Sequence, residues 1–136
     1  MKSLKYILSI EDNSTDIALM TRIFEKKIPD YTIKHISDGE KAVDFIESED
    51  FKMQLPQLIL LDIKVPKLDG LEVLRHFRKH KEYKKIPVVM MSSSDLNEDK
   101  ERAYSLGANS FMAKPKTFLE LCDALPALIN NWIIQK

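Results

Sequence analysis

Four consecutive apolar residues at 58–61, followed directly by Asp62, constrain the fold of this chain more than any other stretch. A short apolar run of this kind is typical of a strand that is buried on both faces, as in a parallel sheet. Such a sheet needs helices on both faces to cover it. Asp62 would then lie at the carboxyl end of its strand, where open α/β sheets bind their ligands.

Apolar positions elsewhere in the chain alternate between the spacing of strands and the spacing of helices. A helical stripe follows each strand, and because strand–helix–strand units cross over with one hand, we predict an α/β fold. It consists of a doubly wound five-stranded parallel sheet with five helices, and the more exposed second strand is expected at an edge. The predicted strands are residues 4–10, 31–36, 58–62, 86–91 and 110–113.

Three local features carry further structural predictions. Residues 48–57 are expected to form the longest loop. Pro126 lies within the apolar stripe of the last helix and is expected to kink that helix or begin a new one. His76 and His80 have the spacing of a metal pair on a helix, but no third ligand is recognisable and a surface role is expected.

The length and composition of the chain fit one domain over 1–136, with no output domain expected. Lys and Arg number 21, as do Asp and Glu, so no basic excess is available for sequence-independent binding of nucleic acid. Cys122, the single cysteine, allows no intrachain disulfide and is expected to be a buried small hydrophobe. Neither a signal peptide nor a transmembrane span is recognisable, so a cytoplasmic location is expected.

Polar residues follow four of the predicted strands, at the point where each strand ends. They are Glu11 and Asp12, Asp62, Ser92, and Lys114. Because parallel strands end at one edge of the sheet, these side chains should converge. Two carboxylates about 5 Å apart repel by roughly 3 kcal/mol at an effective dielectric constant near 20, so the cluster needs cations. Lys114 supplies one, and Mg²⁺ suits a set of oxygen ligands.

This set of residue types fits the phosphorylation of an aspartate. A carboxylate near Mg²⁺ can attack phosphorus, the metal and the lysine neutralise the transferring group, and a serine hydroxyl can bond a phosphoryl oxygen. Taken singly, each residue has an ordinary interpretation: the first two acids could begin a helix, Ser92 could be a turn residue and Lys114 a surface lysine. Their joint occurrence at four strand ends favours a site.

With Pro66, residues 69–70 and Pro115, these residues resemble the response-regulator receiver domains of two-component signalling, over nearly the whole chain. The resemblance implies a flavodoxin-like fold of the receiver type, with Asp62 as phosphoacceptor. It also implies roles for the remaining residues and a cis Lys114–Pro115 bond. The implied Mg²⁺ ligands are Asp12, Asp62 and the backbone carbonyl of Lys64, with Glu11 acting mostly through water; Ser92 and Lys114 are the phosphate-sensing pair, and Phe111 is the aromatic switch residue.

Residues 86–94 and 108–111, together with Trp132, are similar to stand-alone receivers that serve bacterial phytochrome histidine kinases. The resemblance implies a histidine kinase as phosphoryl donor in a phosphorelay, and output through a downstream protein target or a phosphotransfer protein. The surface expected to switch comprises the fourth helix, the fifth strand and the fifth helix. A homodimer could form through that face; Trp132 could anchor it or could be an ordinary core residue.

We expect a phosphoacceptor switch that catalyses only its own phosphorylation and dephosphorylation, rather than an enzyme. One rival is a phosphatase with an aspartate nucleophile, but such hydrolases commonly carry a second Asp two residues later, where this chain has Lys64. A second rival is an interaction module that is independent of phosphorylation. Lys64 adds a cation near the expected phosphoryl group, and we hypothesise that it alters dephosphorylation.

Overall fold

The computed structural model describes residues 5–93 and 97–134 and contains one five-stranded sheet with strand order β2-β1-β3-β4-β5. All four pairs of neighbouring strands are parallel, which confirms the predicted doubly wound sheet. The predicted edge position of β2 is confirmed as well. The strands are β1 (Tyr6–Ile10), β2 (Thr32–Ile36), β3 (Leu58–Asp62), β4 (Val88–Ser92) and β5 (Ser110–Ala113).

Six α-helices connect and flank these strands in the described part of the chain, one more than predicted. They are α1 (Ser14–Lys27), α2 (Gly39–Ile46), α3 (Glu49–Met53), α4 (Gly70–Arg78), α5 (Asn97–Ser105) and α6 (Phe118–Ile129). A 3₁₀ turn, Lys81–Tyr83, precedes β4, and a π-helical turn, Asn130–Ile134, follows α6.

The extra helix, α3, lies within the residues that were predicted to form a loop. The Ser48 hydroxyl oxygen accepts a hydrogen bond from the Phe51 N–H at 3.3 Å, which caps the helix at its start. Phe51 is fully buried and meets the rings of Phe45, Phe77 and Tyr83 edge-on, at centroid distances of 5.4, 6.1 and 5.0 Å. The loop prediction is wrong because five residues with one buried side chain are too short to show helical periodicity.

Helix α6 runs through Pro126 without a break, so the prediction of a new helix start there is wrong. Proline removes only one hydrogen-bond donor, and the buried stripe of Leu121, Leu125 and Ile129 holds both halves of the helix against the sheet. The expected kink stays a prediction. His80 lies beyond the end of α4, and its Nε2 pairs with Glu47 Oε2 at 2.8 Å, so the two histidines do not share one helix.

Two separate hydrophobic clusters cover the two faces of the sheet. Leu8 and Ile10 of β1 belong to the cluster formed with α2, α3, α4 and α5, whereas Ile7 belongs to the cluster formed with α1 and α6. This alternation along one strand is what burial on both faces requires. Cys122 is half-buried against the second cluster. None of the helices in the described ranges has both the length and the apolar character needed to span a bilayer.

Candidate functional site

The candidate site lies at the carboxyl edge of the sheet, where the register brings four strand ends level. Asp62 is the last residue of β3 and Ser92 the last of β4, while Glu11 and Lys114 directly follow β1 and β5. The aligned pairs near the strand ends are Ile10 with Leu61, Asp62 with Met91, and Ser92 with Ala113.

Three carboxylates form a compact acidic cluster at this edge. Glu11, Asp12 and Asp62 each offer an oxygen atom, and these three atoms lie within 4.8 Å of one another. Glu11 and Asp62 are buried, whereas Asp12 is exposed, so the cluster opens to solvent on one side. The structure therefore brings together the three acids that the sequence predicted to converge.

The ammonium of Lys114 sits between carboxylates from three different parts of the chain. Its Nζ lies 2.8 Å from Glu11 Oε1, 2.9 Å from Asp16 Oδ2 and 3.1 Å from Asp62 Oδ2. The Lys114 backbone N–H donates to the Ser92 carbonyl at 2.8 Å, which fixes the lysine to the end of β4. The Lys114–Pro115 bond is trans, so the predicted cis bond is wrong; trans is the intrinsically favoured isomer, and the lysine reaches its partners with it.

Asp16 is a member of the site that the sequence reasoning missed. It lies in the first turn of α1, where the Asn13 side chain caps the helix by accepting from the Asp16 N–H at 2.9 Å. Asp16 follows Asp12 by only four residues, which keeps it near the end of β1, although Asp12 precedes the cap and lies outside α1. That spacing was the available signal, but an acid in a first helical turn is also expected from the helix dipole alone.

The pKa values of Lys114 and Glu11 reflect this arrangement. Burial alone would lower the pKa of Lys114, but hydrogen bonds to Glu11 and Asp16 and the nearby charge of Asp62 raise it well above its ordinary value. Burial raises the pKa of Glu11, and hydrogen bonds from Lys114 and from the Asn13 N–H oppose that rise. The lysine therefore carries a charge at neutral pH and offsets part of the acidic cluster.

The loop after β3 is fixed in place beside Asp62 by its backbone. Asp62 Oδ1 accepts from the Lys64 N–H at 3.2 Å, and the Gly70 N–H donates to the Ile63 carbonyl at 2.7 Å. A Cβ added at Gly70 would overlap the Asp62 carbonyl oxygen and lie 2.8 Å from the Ile63 Cα. Only glycine permits this approach, so Gly70 helps to position the aspartate.

The same loop holds one residue in a strained conformation. Lys67 has a φ of 75°, and the Leu68 N–H donates to the Pro66 carbonyl at 2.9 Å, which closes a three-residue γ-turn. Gly39, at the start of α2, also donates to the Pro66 carbonyl, at 3.0 Å, and a Cβ there would overlap the Leu68 carbonyl oxygen. The start of α2 therefore braces the loop that follows the acidic cluster.

Ser92 and Phe111 occupy the predicted places in the sheet. Ser92 is buried at the end of β4, next to the strand that ends in Asp62. Phe111 pairs with Met90 across β4 and β5 and is half-buried against the cluster that includes α2 to α5. Their places agree with the sequence analysis, and their roles stay predictions.

The charges of the site favour a hard divalent cation. Counting Asp16, the site holds the carboxylates of four residues, and one lysine ammonium contacts three of them. The donors of the cluster are all carboxylate oxygens, and exposed Asp12 leaves a path for an ion that keeps several waters, as Mg²⁺ does. The residues therefore fit Mg²⁺.

The fold and the acidic site together define a receiver-type phosphoacceptor domain. The profile of the response regulator receiver domain matches residues 7–126 of the sequence. The chain belongs to the response regulator receiver domain family.

Curated relatives match almost the whole chain. The probable methanogenesis regulatory protein FilR2 of Methanothrix harundinacea is 34% identical over 128 residues, which cover 93% of this chain and 83% of FilR2. The response regulator Rcp1 of Synechocystis sp. is 30% identical over 131 residues, which cover 95% of this chain and 89% of Rcp1.

Solved structures agree with the sequence matches. The phosphorylated cyanobacterial phytochrome response regulator RcpA superposes with a TM-score of 0.87 at 30% identity, covering 96% of this chain and 94% of RcpA. The Mn²⁺-bound form of Rcp1 gives a TM-score of 0.85 at 28% identity, covering 97% and 96%. These comparisons confirm the predicted fold class and the predicted similarity to phytochrome-associated response regulators.

Proposed function

We propose that Asp62 is the phosphoacceptor of this receiver domain, through which the chain acts as a response regulator in a two-component phosphorelay. The observation that supports this most directly is the position of Lys114 Nζ, 3.1 Å from Asp62 Oδ2, beside a cluster of three carboxylates. A buried carboxylate that contacts a lysine and borders a cation site has the surroundings that phosphoryl transfer needs.

The reaction exchanges one bond to phosphorus for another. A carboxylate oxygen of Asp62 attacks the phosphorus of a phosphohistidine, the O–P bond forms, and the N–P bond breaks with its electron pair going to the departing imidazole. The Lys114 ammonium stabilises the negative charge of the transferring group. Mg²⁺, when bound, supplies further neutralisation of the phosphoryl oxygens.

The residues proposed to hold Mg²⁺ are Asp12, Asp62 and the backbone carbonyl of Lys64. Glu11 is proposed to act mostly through water, as the similarity to the family implies. Glu11 Oε1 binds Lys114 at 2.8 Å, and Glu11 Oε2 accepts from the Asn13 N–H at 3.0 Å. The Mn²⁺-bound state of the relative Rcp1 supports a divalent cation at this site.

A groove between α1 and α6 is the proposed docking site for the donor kinase. The groove has a volume of about 470 Å³, and Phe118 at its end is 42% exposed. Its lining combines apolar side chains, namely Leu19, Ile23, Phe118 and Cys122, with the cations Arg22, Lys26 and Lys27. We propose that a histidine kinase presents an apolar surface edged by acids here, and the similarity to RcpA and Rcp1 makes a phytochrome-type kinase the first choice.

The docking proposal predicts that a change in the groove affects phosphoryl transfer from the kinase but not phosphorylation by acetyl phosphate. Phe118→Ser should slow phosphoryl transfer from the kinase severalfold and leave phosphorylation by acetyl phosphate unchanged, since the acidic cluster and its lysine consist of other residues. Equal rates of phosphoryl transfer from the kinase to the wild type and to Phe118→Ser would show that the kinase does not dock in this groove.

Phosphorylation is proposed to act as a switch through Ser92 and Phe111. Once the acyl phosphate forms, Ser92 at the end of β4 is drawn towards it, and the surface of α5, β5 and α6 shifts between two populations. Phe111, half-buried in β5, belongs to that surface. The output would be a downstream protein target or a phosphotransfer protein, with homodimer formation through the same face and action in the cytoplasm also proposed.

Acetyl phosphate with Mg²⁺, followed by intact-mass measurement, tests the proposed acceptor. The wild-type protein should gain the mass of one phosphoryl group, and Asp62→Asn should gain none. Asp69→Asn is the matched control, because Asp69 caps α4 by accepting from the Glu72 N–H at 3.1 Å and asparagine caps equally well. A phosphoryl adduct on the Asp62→Asn protein, or none on the wild type with Mg²⁺ present, would refute the proposal.

A further inference from the structure

Asp16 contacts Lys114 but lies outside the carboxylate cluster that fits the metal. Its Oδ2 is 2.9 Å from Lys114 Nζ, whereas the three acids with mutually close oxygens are Glu11, Asp12 and Asp62. Neither the proposed metal set nor the proposed acceptor uses Asp16. The carboxylate therefore needs a separate explanation.

The lysine has no donor left for a phosphoryl group. An ammonium carries three N–H donors, and the Lys114 ammonium has three carboxylate partners, Glu11, Asp16 and Asp62. A phosphoryl oxygen on Asp62 can bind this lysine only when one of the existing partners is released or shared.

The burial of the partners decides which contact is released. The Glu11 side chain is only 3% exposed, so its release would leave a buried carboxylate without its cation. Asp62 carries the phosphoryl group itself and stays beside the lysine. The Asp16 side chain is 34% exposed, so water can replace the lysine there at low cost.

We propose that Asp16 is a positioning residue that holds Lys114 in the unphosphorylated protein and competes with the phosphoryl group on Asp62 for it. The inference rests on the proposed function of Asp62. The phosphoryl group carries a charge of about −1.5 to −2 at neutral pH in place of the single charge of the free Asp62 carboxylate, and this larger charge repels the Asp16 carboxylate more strongly. Asp16 therefore favours the unphosphorylated state, and its neutralisation should favour the phosphorylated one.

The test is the affinity for beryllofluoride, an analogue of the phosphoryl group, measured with saturating Mg²⁺. Asp16→Asn keeps an oxygen acceptor for Lys114 and removes the charge. It should bind beryllofluoride about threefold to fivefold more tightly than the wild type, the ratio expected for loss of one partly exposed ion-pair competitor. Asp16→Glu should restore the wild-type affinity, and Glu25→Gln, an exposed acid on the same helix, should leave it unchanged.

A second measurement separates competition from a general effect of charge or a loss of structure. Mg²⁺ affinity without beryllofluoride should be the same in Asp16→Asn and Glu25→Gln, because Asp16 is outside the metal cluster. Damage to the fold would weaken binding of the analogue, so a gain in affinity is not a structural artefact. Affinity for beryllofluoride that is unchanged or weaker in Asp16→Asn would overturn the inference.

The Asp62→Asn protein distinguishes failure of this inference from failure of the proposed function. Binding of beryllofluoride to the wild type and not to Asp62→Asn supports Asp62 as the phosphoacceptor. The comparison of Asp16→Asn with Glu25→Gln then decides the role of Asp16. If the wild type does not bind beryllofluoride, both the assignment of Asp62 as phosphoacceptor and the proposed competition of Asp16 for Lys114 are overturned.

Discussion

Gly70→Ala should destabilise this protein although glycine-to-alanine changes in helices usually stabilise. Gly70 begins α4, where the lower helix propensity of glycine would make alanine the better residue by up to about 1 kcal/mol. The backbone reverses this expectation. The added methyl group would overlap the Asp62 carbonyl oxygen and lie 2.8 Å from the Ile63 Cα, and neither obstacle is a side chain that can rotate away.

The magnitude follows from what must move. Overpacking against backbone costs about 1–3 kcal/mol. Any retreat of α4 also lengthens the 2.7 Å hydrogen bond from the Gly70 N–H to the Ile63 carbonyl, which is worth about 1 kcal/mol. After subtraction of the propensity gain, we expect the free energy of unfolding to fall by about 1–3 kcal/mol.

Urea denaturation measures this loss. With a slope of about 2 kcal/mol per M urea for a domain of this size, the midpoint should fall by about 0.5–1.5 M. Arg75→Ala is the control, because Arg75 is an exposed residue of the same helix whose ion pair with Glu72 contributes at most about 0.5 kcal/mol. A midpoint in Gly70→Ala equal to or above the wild-type value would refute the close approach of α4 to the Asp62 backbone.

Two further predictions concern Lys64 and His35. Lys64→Ala should shorten the acyl-phosphate lifetime about twofold to fivefold, because an exposed cation two residues after Asp62 stabilises the phosphoryl charge modestly. The decay of the phosphorylated protein measures this lifetime, with Lys84→Ala, which removes another exposed cation, as the control. An unchanged lifetime in Lys64→Ala contradicts the hypothesis. His35 should make the fold less stable as the pH falls below 6.5, because burial lowers its pKa in the folded state, so the unfolded state binds more protons between the two pKa values. Its Nδ1 is buried without a hydrogen-bond partner among the described residues, and Nε2 lies 3.2 Å from Thr21 Oγ1, whose own proton goes to the Ile17 carbonyl. Urea midpoints measured on either side of pH 6.5 give the dependence of stability on pH, and this dependence should be weaker in His35→Leu than in the wild type. The same dependence in both proteins would contradict the argument.

The part of the site that the sequence predicts is the part that topology alone determines. Parallel strands must end at one edge, so residues that follow apolar runs converge whatever the packing of the helices. Asp62 and Lys114 are 52 residues apart in the chain, yet both could be placed at this edge from the apolar segments that precede them.

The residues that the sequence does not predict depend on contacts between elements. The ion pair between Asp16 and Lys114 depends on how α1 packs against α6, which no local pattern specifies. Arg78 is a similar case, because the sequence shows only a cation at the end of a helix. In the structure its guanidinium donates to the carbonyls of Gly107, Tyr83 and Ile86 at 2.9, 3.1 and 3.1 Å, which ties the end of α4 to the loop before β5.

The unequal burial of the carboxylates around Lys114 gives the proposed switch a direction. Glu11 is too buried to lose its cation, so the lysine cannot leave the edge of the sheet, while Asp16 can be hydrated and therefore can be released. Asp16 and Met20 of α1 line a crevice with Lys114 and Leu121, next along α1 from the groove proposed for the kinase. A lysine that turns from Asp16 to the phosphoryl group thus removes an ion pair between α1 and the segment before α6. The kinase would then meet a different surface on the phosphorylated domain than on the unphosphorylated one. The contact of Lys114 with the phosphoryl group would thus both stabilise that group and favour release of the phosphorylated domain from the kinase.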